Sequence, residues 1–407
     1  MKKFLAMLLA LVMALSLVAC GEKKDDTQGN GDGDATAAKV KVGFITLHDE
    51  NSTYDKNFID AAKEACANLG LVENEDYFIK TNVGETEQCA DVAADLVDAG
   101  CNIIFADSFG HEPYMIEVAK ANPEVQFCHS TGTLAHTENL ANYHNAFASI
   151  YEGRYLAGIA AGMKLNAMIE AGDIKAEEAK MGYVGAFTYA EVVSGYTSFY
   201  LGAKSVCPTV TMDVTFTGSW YDETLEKEGA EKLIQGGCKL ISQHADSLGA
   251  PTACENAGIP NVSYNGSTKE AAPNTYIISS RINWAPYYEY AIQCDGKAID
   301  ADWTGTLATG SVVLTELNTD VAAAGTAEAI EAATAKLENG EIHVFDCSTF
   351  TVKGEALTSY MADVNTDADY TPDTEVVHDG YFSESEFRSA PYFDLEIDGI
   401  TRLDTAF

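Results

Sequence analysis

The sequence predicts an α/β protein of two similar lobes, each built on a doubly wound parallel sheet. Apolar strand patterns alternate with amphipathic helical patterns from residue 39 onward, which is typical of parallel sheets covered by helices. About 370 of the 407 residues belong to this region, more than one ordinary core accommodates. A block that occurs twice, 137 positions apart, indicates that the two lobes share their architecture.

The repeated block reads as the end of a helix, a glycine stop, a short apolar strand and a polar turn. Its first copy spans residues 96–104 and precedes Asp-Ser at 107–108, and its second copy spans residues 233–241 and precedes Asp-Ser at 246–247. In open α/β sheets, ligands bind at the carboxyl ends of the strands. Unless the similarity of the two runs is coincidental, each lobe therefore presents an Asp-Ser turn where a ligand would bind.

Hydrophobic periodicity predicts the elements of the first lobe in order. Gly70 ends the first helix and Pro123 follows the third. The predicted strands cover residues 40–47, 77–79, 101–106 and 125–128, and the predicted helices cover about residues 58–69, 85–99 and 112–122.

The pattern then begins again and predicts a second lobe. A segment at residues 276–280 reads as a crossing between the lobes. The acidic, aromatic tail from Gly340 has no clear periodicity, although its composition suits strands. The predicted helices are 152–164, 191–206, 222–235, 251–257, 286–294 and 321–337, and the predicted strands are 181–186, 211–216, 238–243 and 261–264.

The N-terminus has the pattern of a bacterial lipoprotein signal. Two lysines precede an unbroken apolar run at residues 4–18, which is short for a bilayer span but typical of a secretory signal. We expect residues 1–19 to be a signal peptide and Cys20 to be lipidated; an ordinary signal with an incidental cysteine is the alternative. Residues 20–38 are polar and glycine-rich, and read as a flexible tether to the membrane.

Composition limits the partners and the chemistry. The formal net charge is −37, and such a surface repels phosphate backbones, so we expect no nucleic-acid partner. The ten cysteines occur singly, without a CxxC pair, and nine remain if Cys20 is lipidated. This spacing argues against a disulfide framework and against a zinc site, and favours buried free thiols.

Signatures of the common enzyme classes are missing from the sequence. The turn after the first strand, residues 48–54, is not a dinucleotide-binding glycine loop, and neither a Walker A motif nor a G-x-S-x-G motif occurs. His111-Glu112 begins like a zinc-protease helix, but Met115 stands in place of the second histidine. Acidic and amide residues alternate along residues 363–369 as in a calcium loop, but the required glycine and closing glutamate are replaced. We expect no metal, cofactor or catalytic residue.

Aromatic and polar residues at predicted strand ends form the candidate binding site. Aromatic side chains on both sides of a cleft can sandwich a flat ring, while a few acids and amides orient it. Core packing is the alternative for each aromatic residue, above all for Phe58, whereas Trp220 lies in a turn just past a strand. The candidates are Asn51, Tyr54, Phe58, Ser108 and Phe109 in the first lobe, Phe187, Glu191, Trp220, Asp246 and Ser247 in the second, and Asn283 and Trp284 near the crossing.

Five short motifs resemble a known family. They are Ser-Phe-Gly at 108–110, Tyr-Glu-Gly-Arg-Tyr-Leu-Ala-Gly at 151–158, Trp-Tyr-Asp at 220–222, Gln-His-Ala-Asp-Ser at 243–247 and Trp-Ala-Pro-Tyr-Tyr at 284–288. In this order they resemble the basic membrane protein family of ABC-transporter substrate-binding lipoproteins, which includes purine nucleoside receptors. The resemblance implies a type I periplasmic-binding-protein fold: two Rossmann-like lobes with parallel sheets, joined by a three-segment hinge.

The resemblance also implies a division of the chain into domains. The acidic aromatic C-terminal extension, residues 354–407, has no counterpart in the family. The N-terminal lobe would comprise residues 39–148 and about 283–318, and the C-terminal lobe residues 149–282 and about 319–353.

Family members bind purine nucleosides or bases with the ring stacked between aromatic side chains. By resemblance, Tyr54 or Phe58 would contact one face of the ring and Trp220 the other, while Asp246 would accept hydrogen bonds.

The chain also departs from the family pattern. Many members have Ser-Phe-Asn at 57–59, so an amide contact is lost or moved to Asn51. In many members an acid that binds the ribose stands at the position of Pro113. Whether Glu112 takes over its role is open, and so is the choice between a nucleoside and a free base as the ligand.

These observations favour a monomeric, lipid-anchored receptor on the extracytoplasmic face of the cell membrane. It would capture a purine nucleoside or base for an ABC permease. One alternative is a receptor of the same fold for a sugar or another small polar ligand, or a sensing partner of a membrane kinase. The other is a surface nucleoside hydrolase with Asp246 and Glu191 as catalysts, although no nucleophile–base pair accompanies them.

Overall fold

The computed structural model describes residues 40–294, 299–364, 369 and 371–406, which form two main sheets covered by helices. We call the part of the chain built on each sheet a lobe. The strands of the first sheet are β1 (Val42–Ile45), β2 (Tyr77–Lys80), β3 (Ile103–Ala106), β4 (Gln126–Ser130), β5 (Tyr143–Ala148) and β11 (Asp302–Gly305). Their spatial order is β11-β5-β4-β3-β1-β2, and every pairing is parallel.

The second sheet has seven strands, which are β6 (Lys180–Gly185), β7 (Thr211–Phe216), β8 (Leu240–Gln243), β9 (Asn261–Tyr264), β10 (Tyr276–Ile282), β12 (Val312–Leu314) and β17 (Ile400–Arg402). Their spatial order is β12-β10-β9-β8-β6-β7-β17. Only the edge strand β12 runs antiparallel to its neighbour. The predicted α/β class with parallel sheets is confirmed.

Helices cover both sheets, and polar residues begin three of them. Ser52, Thr86 and Asp222 accept hydrogen bonds from backbone N–H groups of the first turns that follow them, which satisfies donors that the helices leave unpaired. The helices are α1 (Thr53–Asn68), α2 (Glu87–Asp98), α3 (Glu112–Ala121), α4 (Ala135–Glu138), α5 (Ile150–Ala171), α6 (Ala190–Val206), α7 (Glu223–Gln235), α8 (Gly249–Ala257), α9 (Ala285–Gln293) and α10 (Thr326–Glu338).

The repeated block has the predicted structure in both lobes. Helix α2 ends before Gly100, whose φ is +86°, and β3 follows; helix α7 ends before Gly237, whose φ is +92°, and β8 follows. Glycine adopts this left-handed backbone conformation without the steric cost that a Cβ brings. The two glycines therefore turn the backbone in the same way in both lobes. As a result, each Asp-Ser turn lies at the corresponding edge of its sheet.

Within the described residues, the chain crosses between the sheets three times. The first crossing is at Ser149, the second at Asn283 and the third at residues 306–311. The N–H of Ser149 donates to Gly305 O at 2.7 Å, and the N–H of Asn283 donates to Ser311 O at 2.7 Å. These bonds tie the crossings together, so the connection between the lobes is a single three-segment hinge.

Glycines allow helices α5 and α6 to pack closely beside the second sheet. A Cβ atom on Gly158 would lie 2.0 Å from Phe199 O, and one on Gly202 would lie 1.9 Å from Tyr155 O. Real side chains do not tolerate such distances, so any larger residue would push the helices apart. The glycine at the end of the motif at 151–158 therefore serves packing.

The C-terminal extension is part of the second lobe. Its Phe393 is fully buried and stacks on Phe345 with ring centroids 4.3 Å apart, in the same apolar core as Tyr196 of helix α6. Strand β17 pairs with β7, the outermost predicted strand of the second sheet. Two antiparallel strand pairs precede it along the chain: β13 (Met361–Ala362) with β14 (Thr374–Glu375), and β15 (Val377–His378) with β16 (Tyr381–Phe382).

Two further features bear on the predictions from composition. The nine cysteines among the described residues are free thiols, and all except Cys294 are buried. No helix in the described part of the chain is long and apolar enough to cross a membrane. The predicted signal peptide, lipidation site and tether all lie outside the described residues.

Candidate functional site

A cavity of about 330 Å³ lies between the lobes, where the carboxyl ends of the parallel strands meet. This position is the one that open α/β sheets use for ligands, and the volume lies within the range of small-molecule sites. Six of the predicted residues line it: Tyr54, Ser108 and Phe109 from the first lobe, and Glu191, Trp220 and Asp246 from the second. Tyr54 and Trp220 therefore share one cavity although they belong to different lobes.

Asp246 is a buried acceptor without a partner. The residue is 4% exposed and lines the cavity, and among the described residues Asp246 forms hydrogen bonds only through its backbone. Burial raises the pKa of this carboxyl well above its usual range, with further contributions from the nearby Asp55, Glu226 and Glu191. A buried acid without a donor is costly to leave unsatisfied. Asp246 is thus ready to accept from a ligand.

Glu191 lines the cavity at the end of a chain of hydrogen bonds. Its Oε1 atom lies 2.8 Å from Nε2 of His244, and Nδ1 of His244 lies 3.2 Å from the hydroxyl of Tyr183. That hydroxyl accepts from the buried Arg154 at 3.1 Å. Because a carboxylate only accepts, Nε2 of His244 carries the proton that it donates, and the ring orients Glu191.

Aromatic rings of both lobes meet at the cavity. Phe109 of the first lobe packs against Tyr189 of the second with ring centroids 5.4 Å apart. Tyr189 stacks on Phe187, and Phe187 packs edge-to-face against Trp220 at 5.0 Å. The predicted Phe187 does not itself line the cavity. It supports Trp220 from behind, so its contribution is to hold the indole in place.

Phe58 and Trp284 lie in the core of the first lobe and not at the cavity. Their exposed fractions are 2% and 1%, and their rings stack on each other at 4.6 Å. Phe58 follows the buried face of helix α1, and Trp284 precedes helix α9, so the packing of these two helices buries both rings. Of the two aromatic residues proposed for the first face of the ligand, only Tyr54 reaches the cavity.

Three predicted polar residues also lie away from the cavity. Asn51 is exposed, and its amide donates to Asp49 at 2.7 Å. The hydroxyl of Ser247 accepts from the N–H of Gly249 at the start of helix α8. The amide of Asn283 donates to Gly310 O within the hinge. In each case the polar group that was predicted to contact a ligand forms a hydrogen bond with a nearby backbone or side-chain group of the protein.

Glu112 positions a loop and does not reach the cavity. Its carboxylate accepts from the backbone N–H groups of Thr133 and Leu134 at 2.9 Å, from the hydroxyl of Tyr143 and from the amide of Asn145. With its acceptor sites occupied, it is not a substitute for a ribose-binding acid. It instead holds the turn after β4, which places Thr133 at the cavity wall.

The lobes touch across the cleft at its edge. The N–H of Thr53 donates to Asp246 O at 3.1 Å, and the amide of Asn57 donates to Asn265 Oδ1 at 3.2 Å. A ligand in the cavity is therefore enclosed by both lobes. In the described part of the chain the lobes are connected at the hinge, so opening requires these contacts to separate.

Several lining residues were missed from the sequence. Those at strand ends follow the rule that found the others, and include Leu47 after β1, Thr131 after β4, Tyr189 after β6 and Tyr264 at the end of β9. His244, which belongs to the motif at 243–247, also lines the cavity but is not among the predicted site residues. Asp363, Arg388, Ala390 and Pro391 come from the C-terminal extension, where the sequence has no periodicity that would place them.

The arrangement suits binding of a flat polar molecule. It combines aromatic faces from both lobes with acceptors from Asp246 and Glu191 and with donors from Arg388. Among the described residues, no cluster of three or more His, Cys, Asp or Glu side chains could hold a metal ion. The central part of the calcium-like stretch, residues 365–368, lies outside the described residues.

Comparison with known proteins points in the same direction. The sequence model of the family described as "ABC transporter substrate-binding protein PnrA-like" (Bmp) matches residues 41–344. A purine-binding protein of Brucella abortus (strain 2308) is 32% identical over 268 residues, which cover 65% of this chain and 70% of that protein. TsgA13 of Haloferax volcanii, whose name assigns it to glucose binding in an ABC transporter, is 32% identical over 61% of this chain and 60% of its own.

Solved structures show the same fold. A solute-binding protein of an ABC transporter system from Aeropyrum pernix K1 superimposes with a TM-score of 0.63. The alignment covers 75% of this chain and 93% of that one at 18% sequence identity, a level at which the likeness concerns the fold alone. The predicted type I periplasmic-binding-protein architecture is confirmed.

Proposed function

Because the chain belongs to the Bmp family of PnrA-like ABC transporter substrate-binding proteins, we propose that it captures a purine nucleoside or purine base for an ABC permease. Proteins of this family are substrate-binding components of transporters and not enzymes, so the hydrolase alternative is wrong. Substrate-binding proteins of ABC importers act outside the cytoplasm, which agrees with the export signal expected at residues 1–19.

The observation that carries the proposal is an unpaired buried carboxylate inside an aromatic cavity. A purine ring is flat and apolar on its faces but carries N–H donors along its edge. The aromatic side chains of Tyr54 and Trp220 suit the faces, and Asp246 suits the N–H donors. The Brucella relative, which is named for purine binding, supports this choice of ligand.

Glu191 completes the recognition of the edge. The Oε1 atom of Glu191 accepts from His244. Among the described residues, only the hydroxyl of Tyr264, at 3.5 Å, also donates to that oxygen. The second oxygen is therefore available for a ligand donor. Two carboxylates in one cavity favour a ligand with more than one N–H or O–H group, as nucleosides and free purine bases have.

A sugar is the second candidate ligand. TsgA13, whose name assigns it to glucose binding, is as similar in sequence as the purine-binding relative. Carboxylates and aromatic faces also suit the hydroxyls and the apolar faces of sugars. The two candidates differ in shape, because a purine is flat on both faces whereas a sugar ring is puckered and carries hydroxyls around it.

A ligand panel separates the two candidates. We expect purine nucleosides or bases to raise the melting temperature of the purified protein, since a ligand at a hundred times its Kd stabilises by about 2.7 kcal/mol. We expect glucose and other sugars to leave it unchanged, and native mass spectrometry to find a co-purified purine. Stabilisation by sugars alone would refute the proposal. Light scattering on the same samples tests the proposed monomeric state.

We also propose that a lipid on Cys20 anchors the protein to the cell membrane, as the export pattern suggests. The Cys20→Ser variant, expressed with its leader in a bacterial host, is expected to leave the detergent phase and the membrane fraction. Mass spectrometry of the mature N-terminus provides the direct measurement. An equal membrane content for the variant and the unchanged protein would contradict the anchor.

A further inference from the structure

The C-terminal extension supplies one wall of the cavity. The family match ends at residue 344, whereas Asp363, Arg388, Ala390 and Pro391 all line the cavity. This wall therefore belongs to a part of the chain that the family match does not cover. Any selectivity that it confers is specific to proteins with such an extension.

The wall is fixed to both lobes. On the second lobe, strand β17 extends the sheet, and the carboxylate of Asp404 accepts from the hydroxyl of Thr215 and the N–H of Phe216. Towards the first lobe, the N–H of Ser389 donates to Asp302 on strand β11 at 2.8 Å. The segment around Arg388 thus spans the cleft and is held at a defined position.

Arg388 is held rigidly but keeps unused donors. Its Nε donates to Ala390 O at 3.2 Å, its Nη1 to Asp363 O at 3.2 Å and its Nη2 to Pro391 O at 3.3 Å. A guanidinium carries five N–H groups, so one N–H remains on each terminal nitrogen. Among the described residues that line the cavity, Arg388 is the only lysine or arginine.

We propose that Arg388 makes the site selective for 6-oxopurines, and this inference rests on the proposed purine-binding function. Two guanidinium N–H groups match the O6 and N7 acceptors of guanine or hypoxanthine, the pairing by which arginine reads guanine in nucleic acids. A 6-aminopurine places an amino donor where O6 would be. Donor then faces donor, and the guanidinium loses a partner in a desolvated site.

The carboxylates on the second lobe agree with this choice. A 6-oxopurine carries a hydrogen on N1, beside O6, and can donate it to an acceptor such as Asp246. In a 6-aminopurine N1 is a bare acceptor, so the ionised carboxylate would gain no hydrogen bond from it. Among the described residues Asp246 forms hydrogen bonds only through its backbone, so the 6-oxo tautomer offers a donor to the acid as well as acceptors to the arginine.

Arg388 also braces the extension, and the experiment must separate this role from recognition. Calorimetry would measure the affinities of hypoxanthine, inosine, adenine and adenosine for the unchanged protein and for Arg388→Met and Arg388→Lys. Arg402→Met is the matched control, because Arg402 also lies in the extension and pairs with Glu396 and Tyr196, but does not line the cavity. Melting temperatures verify that each variant is folded.

The unchanged protein is expected to bind the 6-oxopurines at least about tenfold more tightly than the 6-aminopurines. Arg388→Met is expected to remove this preference by weakening only the 6-oxopurines, Arg388→Lys to retain part of it, and Arg402→Met to retain all of it. Equal weakening of both classes by Arg388→Met, or no preference in the unchanged protein, would overturn the inference while leaving purine binding intact. If none of the four compounds binds, the proposed function and the inference are both overturned.

Discussion

Replacing Asp246 by alanine is expected to weaken purine binding by at least about tenfold, because one hydrogen bond to a charged group contributes about 1.5–3 kcal/mol. The same change is expected to raise the melting temperature of the ligand-free protein. Its buried carboxyl has no described donor, and burial raises its pKa, so it destabilises the empty site. Calorimetry and thermal unfolding of the same samples measure the two effects.

Asp213→Ala is the matched control. Asp213 also belongs to the second lobe, on strand β7, but it pairs with Lys180 and does not line the cavity. Its removal is expected to leave affinity unchanged and to lower the melting temperature or leave it unchanged. Unaltered affinity in Asp246→Ala would remove this residue from the site, whatever the melting temperature does.

The raised pKa of Asp246 also predicts a pH dependence. A ligand N–H that donates to the carboxylate favours its ionised form, so the pKa falls on binding and a proton is released. Affinity for hypoxanthine should therefore rise with pH up to the pKa that Asp246 has in the ligand-free protein, and stay constant above it. Titrations in two buffers of different ionisation heat count the protons, and Asp246→Asn should release none from this site.

Replacing Trp220 by alanine is expected to weaken purine binding by about tenfold to a hundredfold. Stacking of a base on an aromatic side chain contributes about 1–3 kcal/mol by this kind of substitution. Trp220 is half-buried at the cavity and is held by Phe187 at 5.0 Å, so its ring is in place before the ligand arrives. Trp220→Phe, which keeps a flat face, is expected to retain most of the affinity.

Trp303→Ala serves as the control for this change. Trp303 is also half-buried, but it packs against Tyr287 in the first lobe and does not line the cavity. We expect it to lower the melting temperature without altering purine affinity. If both tryptophan variants weaken binding by the same factor, the loss reflects general destabilisation and not stacking at Trp220.

Local signals predicted most of the fold. Strand β7 has the bounds that its apolar pattern predicts, and helix α7 begins directly after the capping Asp222. Strand β5 is not predicted, because all six of its residues are buried although four of them are polar or small, so no alternation marks it. Its His144 is accommodated by Gln126, whose side chain lies 2.9 Å away on the neighbouring strand β4. That partner is visible only once the strands are paired.

The candidate site was predicted in part for the same reason. The rule that ligands bind at strand ends led to Tyr54, Trp220 and Asp246, which share the cavity. The rule does not say which way a side chain points. Trp284 follows the end of strand β10 and obeys the rule as well, but its ring stacks on Phe58 inside the first lobe.

The sequence by itself determined the class of the fold, the doubling of the lobes and the turns that carry several cavity-lining residues. Periodicity, glycine stops and helix caps act between residues that are close along the chain, so they can be read without a structure. Only the tertiary structure decided which aromatic rings line the cavity and that Arg388 joins them from the far end of the chain. Burial and the closing of a cavity depend on contacts between distant segments, and no local pattern records those contacts.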